Sequence, residues 1–207
     1  MSYCRWKDSS DENLKYHDSE WGIPISDDTR HFECLMLEAL QCGLSWNIII
    51  RKRDVIRKCF ADFDFRKVAG FGEDDVERIM NTEGMIRSRR KIEAVISNAG
   101  VFAGISDEFG SFRNYIRSFT GTDAVILYDG HQKGLIPASN GLSARISRDL
   151  RKRGLKYAGP VTVYAYLQAV GIICDHDADC PCFRRITSEF KTISKKCDDE
   201  KEVKDFR

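Results

Sequence analysis

Apolar residues return at helical spacing through most of the chain. Phe32, Leu35, Met36, Ala39 and Leu40 share one face of 28–42, with Asp27 and Asp28 as caps and Gly43 just past the end. The other faces carry Cys34, Leu37 and Cys42, which leaves Glu33 and Glu38 as the only charged residues between Phe32 and Leu44. At a helical turn of about 100° per residue these two glutamates point about 140° apart. One narrow wet face does not hold both, so one of them is a candidate for an enclosed carboxylate.

A second helix starts after Ser45 and carries Trp46, Ile49, Ile50, Ile56 and Phe60. A third, 73–82, has Glu73, Asp74 and Asp75 in its first turn, where the macrodipole favours acids, and Gly84 follows it. A fourth, 88–103, buries Ile92, Val95, Ile96, Ala99 and Phe102. Helical spacing resumes with Leu142, Ile146 and Leu150 and stops at Gly154, and Pro160 opens a last apolar helix. Between them, 119–141 is rich in turn residues and holds either one short strand pair around Asp129 and Gly130 or nothing regular. The pattern predicts an all-α protein. Residues 1–186 form one domain of two closely packed helical subdomains, and 187–207 form a charged, flexible tail with little to bury.

Composition adds bounds. The chain has 207 residues, enough for one good-sized core, and its 33 Lys and Arg against 32 Asp and Glu give no overall pull toward an anionic partner. The basic residues do cluster, in 51–58, 87–91 and 148–156. The N-terminus lacks the apolar core of a secretory signal, and the longest apolar run, about 160–174, is too short for a membrane span. Eight cysteines at irregular intervals fit a reduced, cytoplasmic setting better than a disulfide framework.

Three constellations carry chemistry. Residues 16–22 read YHDSEWG, an unusual density of aromatic and polar groups beside a chain end. His17 there, with Cys4, faces His176 and Cys180 at the far end of the chain, and two Cys with two His make a closed tetrahedral zinc set. Spacing alone leaves buried free thiols as the alternative, with Cys174 and Cys182 as rival ligands. Second, Trp6, Tyr16, Trp21 and Trp46 gather around Glu38 in sequence; packing explains any single one, but together they suit a flat cation or a nucleobase. Third, Gly84 followed by Arg87, Arg89, Arg90 and Lys91 has the outline of a helix-hairpin-helix turn that meets a DNA phosphate, or equally of an ordinary helical hairpin.

Cys4-Arg5-Trp6, YHDSEWG, LEALQCGLSW (37–46), KRG (152–154), GPVTVYAYLQAVG (159–171) and Asp175-His176 closely resemble the DNA-3-methyladenine glycosylase I family. The resemblance runs in order from about residue 3 to about 182 and is weakest across 105–140. It implies a helix-hairpin-helix glycosylase fold and a monomeric, monofunctional enzyme that flips 3-methyladenine out of double-stranded DNA and hydrolyses its N-glycosidic bond. It also implies one structural zinc ion on Cys4, His17, His176 and Cys180. Glu38 becomes the catalytic carboxylate that meets the extruded base, and Trp6, Tyr16, Trp21 and Trp46 become its aromatic walls. The chain departs from the pattern at Asn13, where members place a second tyrosine, and at Cys174, where they commonly have Asn. The Asn13 departure motivates a second reading, a DNA-binding or regulatory relative that keeps fold and zinc but has lost turnover.

Overall fold

The computed structural model describes Cys4 and residues 10–196. Ten α-helices dominate these residues: α1 (Asp11–Ser19), α2 (Asp28–Gln41), α3 (Trp46–Cys59), α4 (Phe65–Val68), α5 (Glu73–Asn81), α6 (Arg89–Phe109), α7 (Phe112–Thr120), α8 (Gly141–Lys152), α9 (Pro160–Ala169) and α10 (Pro181–Glu189). The expectation of an all-α chain needs one correction. Two short strands, β1 (Val125–Tyr128) and β2 (Thr192–Lys195), pair in parallel from Val125 with Thr192 to Tyr128 with Lys195. No hairpin forms around Asp129 and Gly130; the partner of β1 comes from the other end of the chain.

That pairing also corrects the tail. Residues 187–189 end α10 and 192–195 form β2, so this part of the expected tail is structured. Ile186 packs with Val125 and Cys174 in a small satellite core. Residues 197–207 of the expected tail lie outside the described residues.

Helix α2 is the axis of the molecule. Asp27 caps it by accepting from the Arg30 N–H at 2.8 Å. Phe32, Leu35, Met36, Leu37 and Leu40 on it are almost wholly buried. It contacts α3, α6, α7 and α9, so apolar residues are required on nearly all its sides. Phe32 meets Phe102 of α6 at 5.1 Å between ring centroids, and Phe102 stacks on Phe112 of α7 at 4.0 Å. Asp28 accepts from the Ser106 hydroxyl and from the Phe112 N–H, which closes the α6–α7 junction onto the start of α2.

The two glutamates of α2 do point apart, and both are enclosed: Glu33 is 1% exposed and Glu38 7%. Glu33 is neutralised by Arg53 at 2.8 Å, Arg30 at 2.9 Å and Arg57 at 3.2 Å. Glu20 joins the same network through Arg30 and Arg53. Burial pushes the Glu20 carboxyl up, but the hydrogen bonds from Arg53 and Arg30 outweigh it and hold the group at about 2. A carboxyl depressed in the folded state stabilises above its unfolded value and loses that contribution as pH falls. Between pH 5 and 2 the melting temperature therefore falls, and Glu20→Gln removes about 2 kcal/mol of this dependence, as calorimetry across that range checks.

Candidate functional site

Opposite the ion-pair face of α2, Glu38 opens onto a cavity of about 270 Å³ lined by Asn13, Tyr16, Trp21, Glu38, Gln41, Trp46, Ala165 and Gln168. Four segments build it. Helix α1 supplies Asn13 and Tyr16, α2 supplies Glu38 and Gln41, the first residue of α3 is Trp46, and α9 supplies Ala165 and Gln168. Gly43, at φ +77°, lets the chain turn sharply between Glu38 and Trp46. Tyr16 and Trp46 lie 5.4 Å apart, inclined at 51°, and the Arg53 guanidinium sits 5.9 Å from the Tyr16 ring centre. Trp6, the fourth expected aromatic wall, lies outside the described residues.

The Glu38 carboxyl has no hydrogen-bond partner among the described residues, and burial alone pushes it up to about 8. The cavity therefore costs free energy to ionise until a cation enters. The indole Nε1 of Trp46 and the Oδ1 of Asn13 are likewise buried without partners among the described residues. Asn13 donates through Nδ2 to Asn47 at 3.2 Å, so a carboxamide anchored to α3 stands where the related pattern has a phenol ring.

Trp21 separates this cavity from a larger one of about 370 Å³, which it lines with Cys4, Ile136, Pro137, Val161, Asp175 and other residues. The larger space is the less reactive of the two. Its buried carboxylate, Asp175, is saturated by Tyr164 at 2.6 Å, Gln168 at 2.7 Å and His131 at 2.7 Å.

Behind Trp21, one ligand atom each from Cys4, His17, His176 and Cys180 lies within 4.8 Å of the others. Sulfur-to-nitrogen distances are 3.7 Å for Cys4 to His176, 3.7 Å for Cys180 to His176 and 3.8 Å for Cys180 to His17. A tetrahedral zinc ion with Zn–S of about 2.3 Å and Zn–N of about 2.1 Å sets such pairs at about 3.6 Å. The imidazoles are also aimed. His17 Nδ1 bonds to Asp18 at 2.8 Å and His176 Nε2 to the Trp21 carbonyl at 3.1 Å, which leaves His17 Nε2 and His176 Nδ1 facing the sulfurs. Burial lowers His176 to about 4, the neutral form a metal needs. The four residues fit a closed metal site. Asp18 fixes the orientation of the His17 ring. The rival thiols stand aside: Cys182 points at the carbonyls of His17 and Asp18, and Cys174 packs in the satellite core.

The seventh residue of YHDSEWG closes the arrangement. Gly22 has φ +80°, and a Cβ there would meet His176 Nε2 at 2.9 Å. Trp21 stands edge-on to His176 at 4.5 Å between centroids. Trp21 and the Cys–His cluster are thus one packed unit.

The expected DNA-contacting residues fare differently. Arg89 is tied to Glu73, Glu77 and Glu93. Lys91 donates to the carbonyls of Leu40 and Cys42 at 2.7 and 2.6 Å, which caps α2 and braces the turn beside the cavity. Lys52 holds the Gly84 carbonyl. Arg87 and Arg90 remain exposed. The sequence reading missed the hairpin between α8 and α9, although KRG and Gly159-Pro160 were both noted. That turn has Gly154 at φ +102° and Tyr157 at φ +58°, then Gly159 as N-cap and Pro160 at the first position of α9. Arg151, Lys152 and Lys156 around it are exposed and form no ion pair among the described residues. Asn98 braces it from α6, accepting from the Lys156 N–H at 2.7 Å and donating to its carbonyl at 3.0 Å, and Ser147 donates to the Ala158 carbonyl at 2.6 Å.

A helical frame that presents an aromatic-walled, single-carboxyl cavity and a glycine-bounded basic hairpin has the features of a base-extruding nucleic-acid enzyme. A family model described as methyladenine glycosylase matches residues 6–184, and the chain belongs to that family. It is 37% identical to DNA-3-methyladenine glycosylase 1 of Escherichia coli (strain K12), covering 88% of this chain and 97% of that one. The DNA-3-methyladenine glycosylase of Haemophilus influenzae is 35% identical, with 86% and 96% covered. Among solved structures, 3-methyladenine DNA glycosylase I from Staphylococcus aureus superposes with a TM-score of 0.81 at 31% identity, over 87% of this chain and 96% of that one. A variant of a 3-methyladenine DNA glycosylase I in complex with 3-methyladenine gives 0.81 at 32% identity, over 87% and 97%.

Proposed function

We propose that this protein excises 3-methyladenine from alkylated double-stranded DNA as a monofunctional glycosylase of base-excision repair. The observation that carries the reading is Glu38, an unpartnered carboxyl enclosed with Tyr16, Trp21 and Trp46 in one cavity. Methylation at N3 gives the adenine ring a positive charge, and electron-rich aromatic faces attract it with about 0.5–2 kcal/mol per good contact. As the C1′–N9 bond breaks, its electron pair neutralises the departing base. Water then supplies hydroxide to C1′ and releases a proton to solvent. Glu38 holds the base by accepting a hydrogen of its exocyclic amine. No lysine is among the described residues lining the cavity, so no Schiff base and no strand cleavage are expected.

The α8–α9 hairpin supplies the phosphate contact, through the N–H groups at the start of α9 and the side chains of Arg151, Lys152 and Lys156. Asn98→Ala frees the backbone of Lys156 and lowers affinity for duplex DNA about tenfold. Binding of free 3-methyladenine, followed by quenching of tryptophan fluorescence, stays unchanged. Cys4, His17, His176 and Cys180 hold a structural zinc ion that pins the N-terminal segment to the C-terminal one. When bound, the ion supplies no open coordination position and takes no part in the reaction. We place the enzyme in the cytoplasm as a monomer; no helix among the described residues is long and apolar enough to cross a membrane.

The test is base release from DNA treated with a methylating agent, with the free bases separated by chromatography. The reading requires 3-methyladenine in the released fraction. Protein that binds the DNA but frees no base would establish the non-catalytic alternative raised by Asn13.

A further inference from the structure

The cavity that holds Glu38 is also lined by a carboxamide whose orientation is set by a carboxylate outside that cavity. Gln168 of α9 lines both the Glu38 cavity and the larger cavity beyond Trp21. Asp175 lines only the larger one. The Gln168 Nε2 donates to Asp175 Oδ2 at 2.7 Å. A carboxylate oxygen accepts and does not donate, so this contact admits the amide in one orientation only. Asp175 is itself fixed, 1% exposed, with Tyr164 donating to the same oxygen at 2.6 Å and His131 bonded to the other at 2.7 Å. With its NH₂ held by Asp175, the carbonyl Oε1 of Gln168 is turned away from that carboxylate, and the same side chain lines the cavity that holds Glu38. No described residue donates to that oxygen.

We propose that Gln168 is a specificity-determining residue of the base cavity, offering Oε1 as a hydrogen-bond acceptor to the exocyclic amine of the bound base, with Asp175 as the positioning residue that keeps the amide from rotating. The inference rests on the excision of 3-methyladenine proposed above. The chemistry selects at one atom. A 6-amino purine brings two amine hydrogens, one for Glu38 and one for Gln168. A 6-oxo purine brings a carbonyl oxygen to the same place, against an acceptor. A glutamine free to rotate would present its NH₂ group to that oxygen and lose the discrimination; the bond to Asp175 prevents this.

The experiment compares release of 3-methyladenine and 3-methylguanine from the same methylated DNA by the full-length protein and by Gln168→Leu, under single-turnover conditions. Release of 3-methyladenine falls about tenfold and that of 3-methylguanine does not, so their ratio falls about tenfold. A purely structural role lowers both rates together and leaves the ratio unchanged, and that result overturns the assignment. A measurement on the unaltered protein is independent of whether the variant folds. An analogue of free 3-methyladenine with one amine hydrogen replaced by methyl binds about tenfold more weakly than the parent base, and equal affinity overturns the inference. If the unaltered protein releases no 3-methyladenine, the functional reading falls. If it releases the base with an unaltered ratio in Gln168→Leu, only the role of Gln168 falls.

Discussion

Glu38→Gln lowers single-turnover release of 3-methyladenine by about 10²–10³-fold while leaving affinity for DNA with an abasic site unchanged. The side chain keeps its shape and one acceptor oxygen, so packing of α2 is preserved and the loss isolates charge. A carboxylate stabilises a cationic base inside a water-poor cavity far more strongly than an amide does. The same substitution raises stability. In the folded protein burial lifts Glu38 to about 8, so it binds a proton there that the unfolded chain has lost above about 4.5. Stability therefore declines as pH rises between those values, by about 3 kcal/mol at pH 7, and the glutamine variant escapes the penalty. Its melting temperature at pH 7 is higher than that of the parent by roughly 6–12 °C. A variant that is less active and more stable locates the cost of the site in a single carboxyl.

Cys180→Ser removes stoichiometric zinc and lowers the melting temperature by roughly 10–20 °C. Cys4 and His176 are 172 positions apart, and a cross-link closing so long a loop is worth about 5 kcal/mol of unfolded-chain entropy. Burial also pushes the Cys4 thiol well above its ordinary range, so without a cation the cluster holds protonated sulfur rather than ligand. Because Trp21 bonds through its carbonyl to His176 and lines the base cavity, base binding weakens as well. Metal analysis of the purified variant beside the parent checks the claim; zinc content equal in both refutes it.

Helices with regularly spaced apolar residues were legible in the sequence. Helices α2, α3 and α5 fall within a residue or two of the spacing that predicts them, and α9 starts at Pro160 as expected. Helix α1 was not, because the residues it buries are Asn13, Tyr16 and His17, which carry no apolar periodicity. Helix α10 buries only Cys182 and Ile186, too few to show a helical period, and its last residues, 187–189, read as the start of a charged tail. Helix α7 carries a clear stripe of Phe112, Tyr115 and Ile116 that the sequence reading did not use, although the spacing was there to be found. Parallel pairing of β1 with β2 joins segments with no local signal to connect them. For the site, residue type and clustering picked out Glu38 and the four residues of the Cys–His cluster. Partnership was not visible. Glu33 and Glu38 look alike in sequence, yet three arginines neutralise one and none reaches the other. Arg89 and Lys91 read as phosphate contacts until their partners are seen.

The pH dependence of 3-methyladenine release tests the central claim most directly, since it asks whether the group that acts is the carboxylate at the centre of the cavity. With excess enzyme at subsaturating concentration, the rate should rise about tenfold per pH unit below about 8 and level off above it, and Glu38→Gln should show no such rise. A rate that is flat through this range, or that falls as pH passes 8, would contradict an ionised Glu38 as the group that holds the departing base.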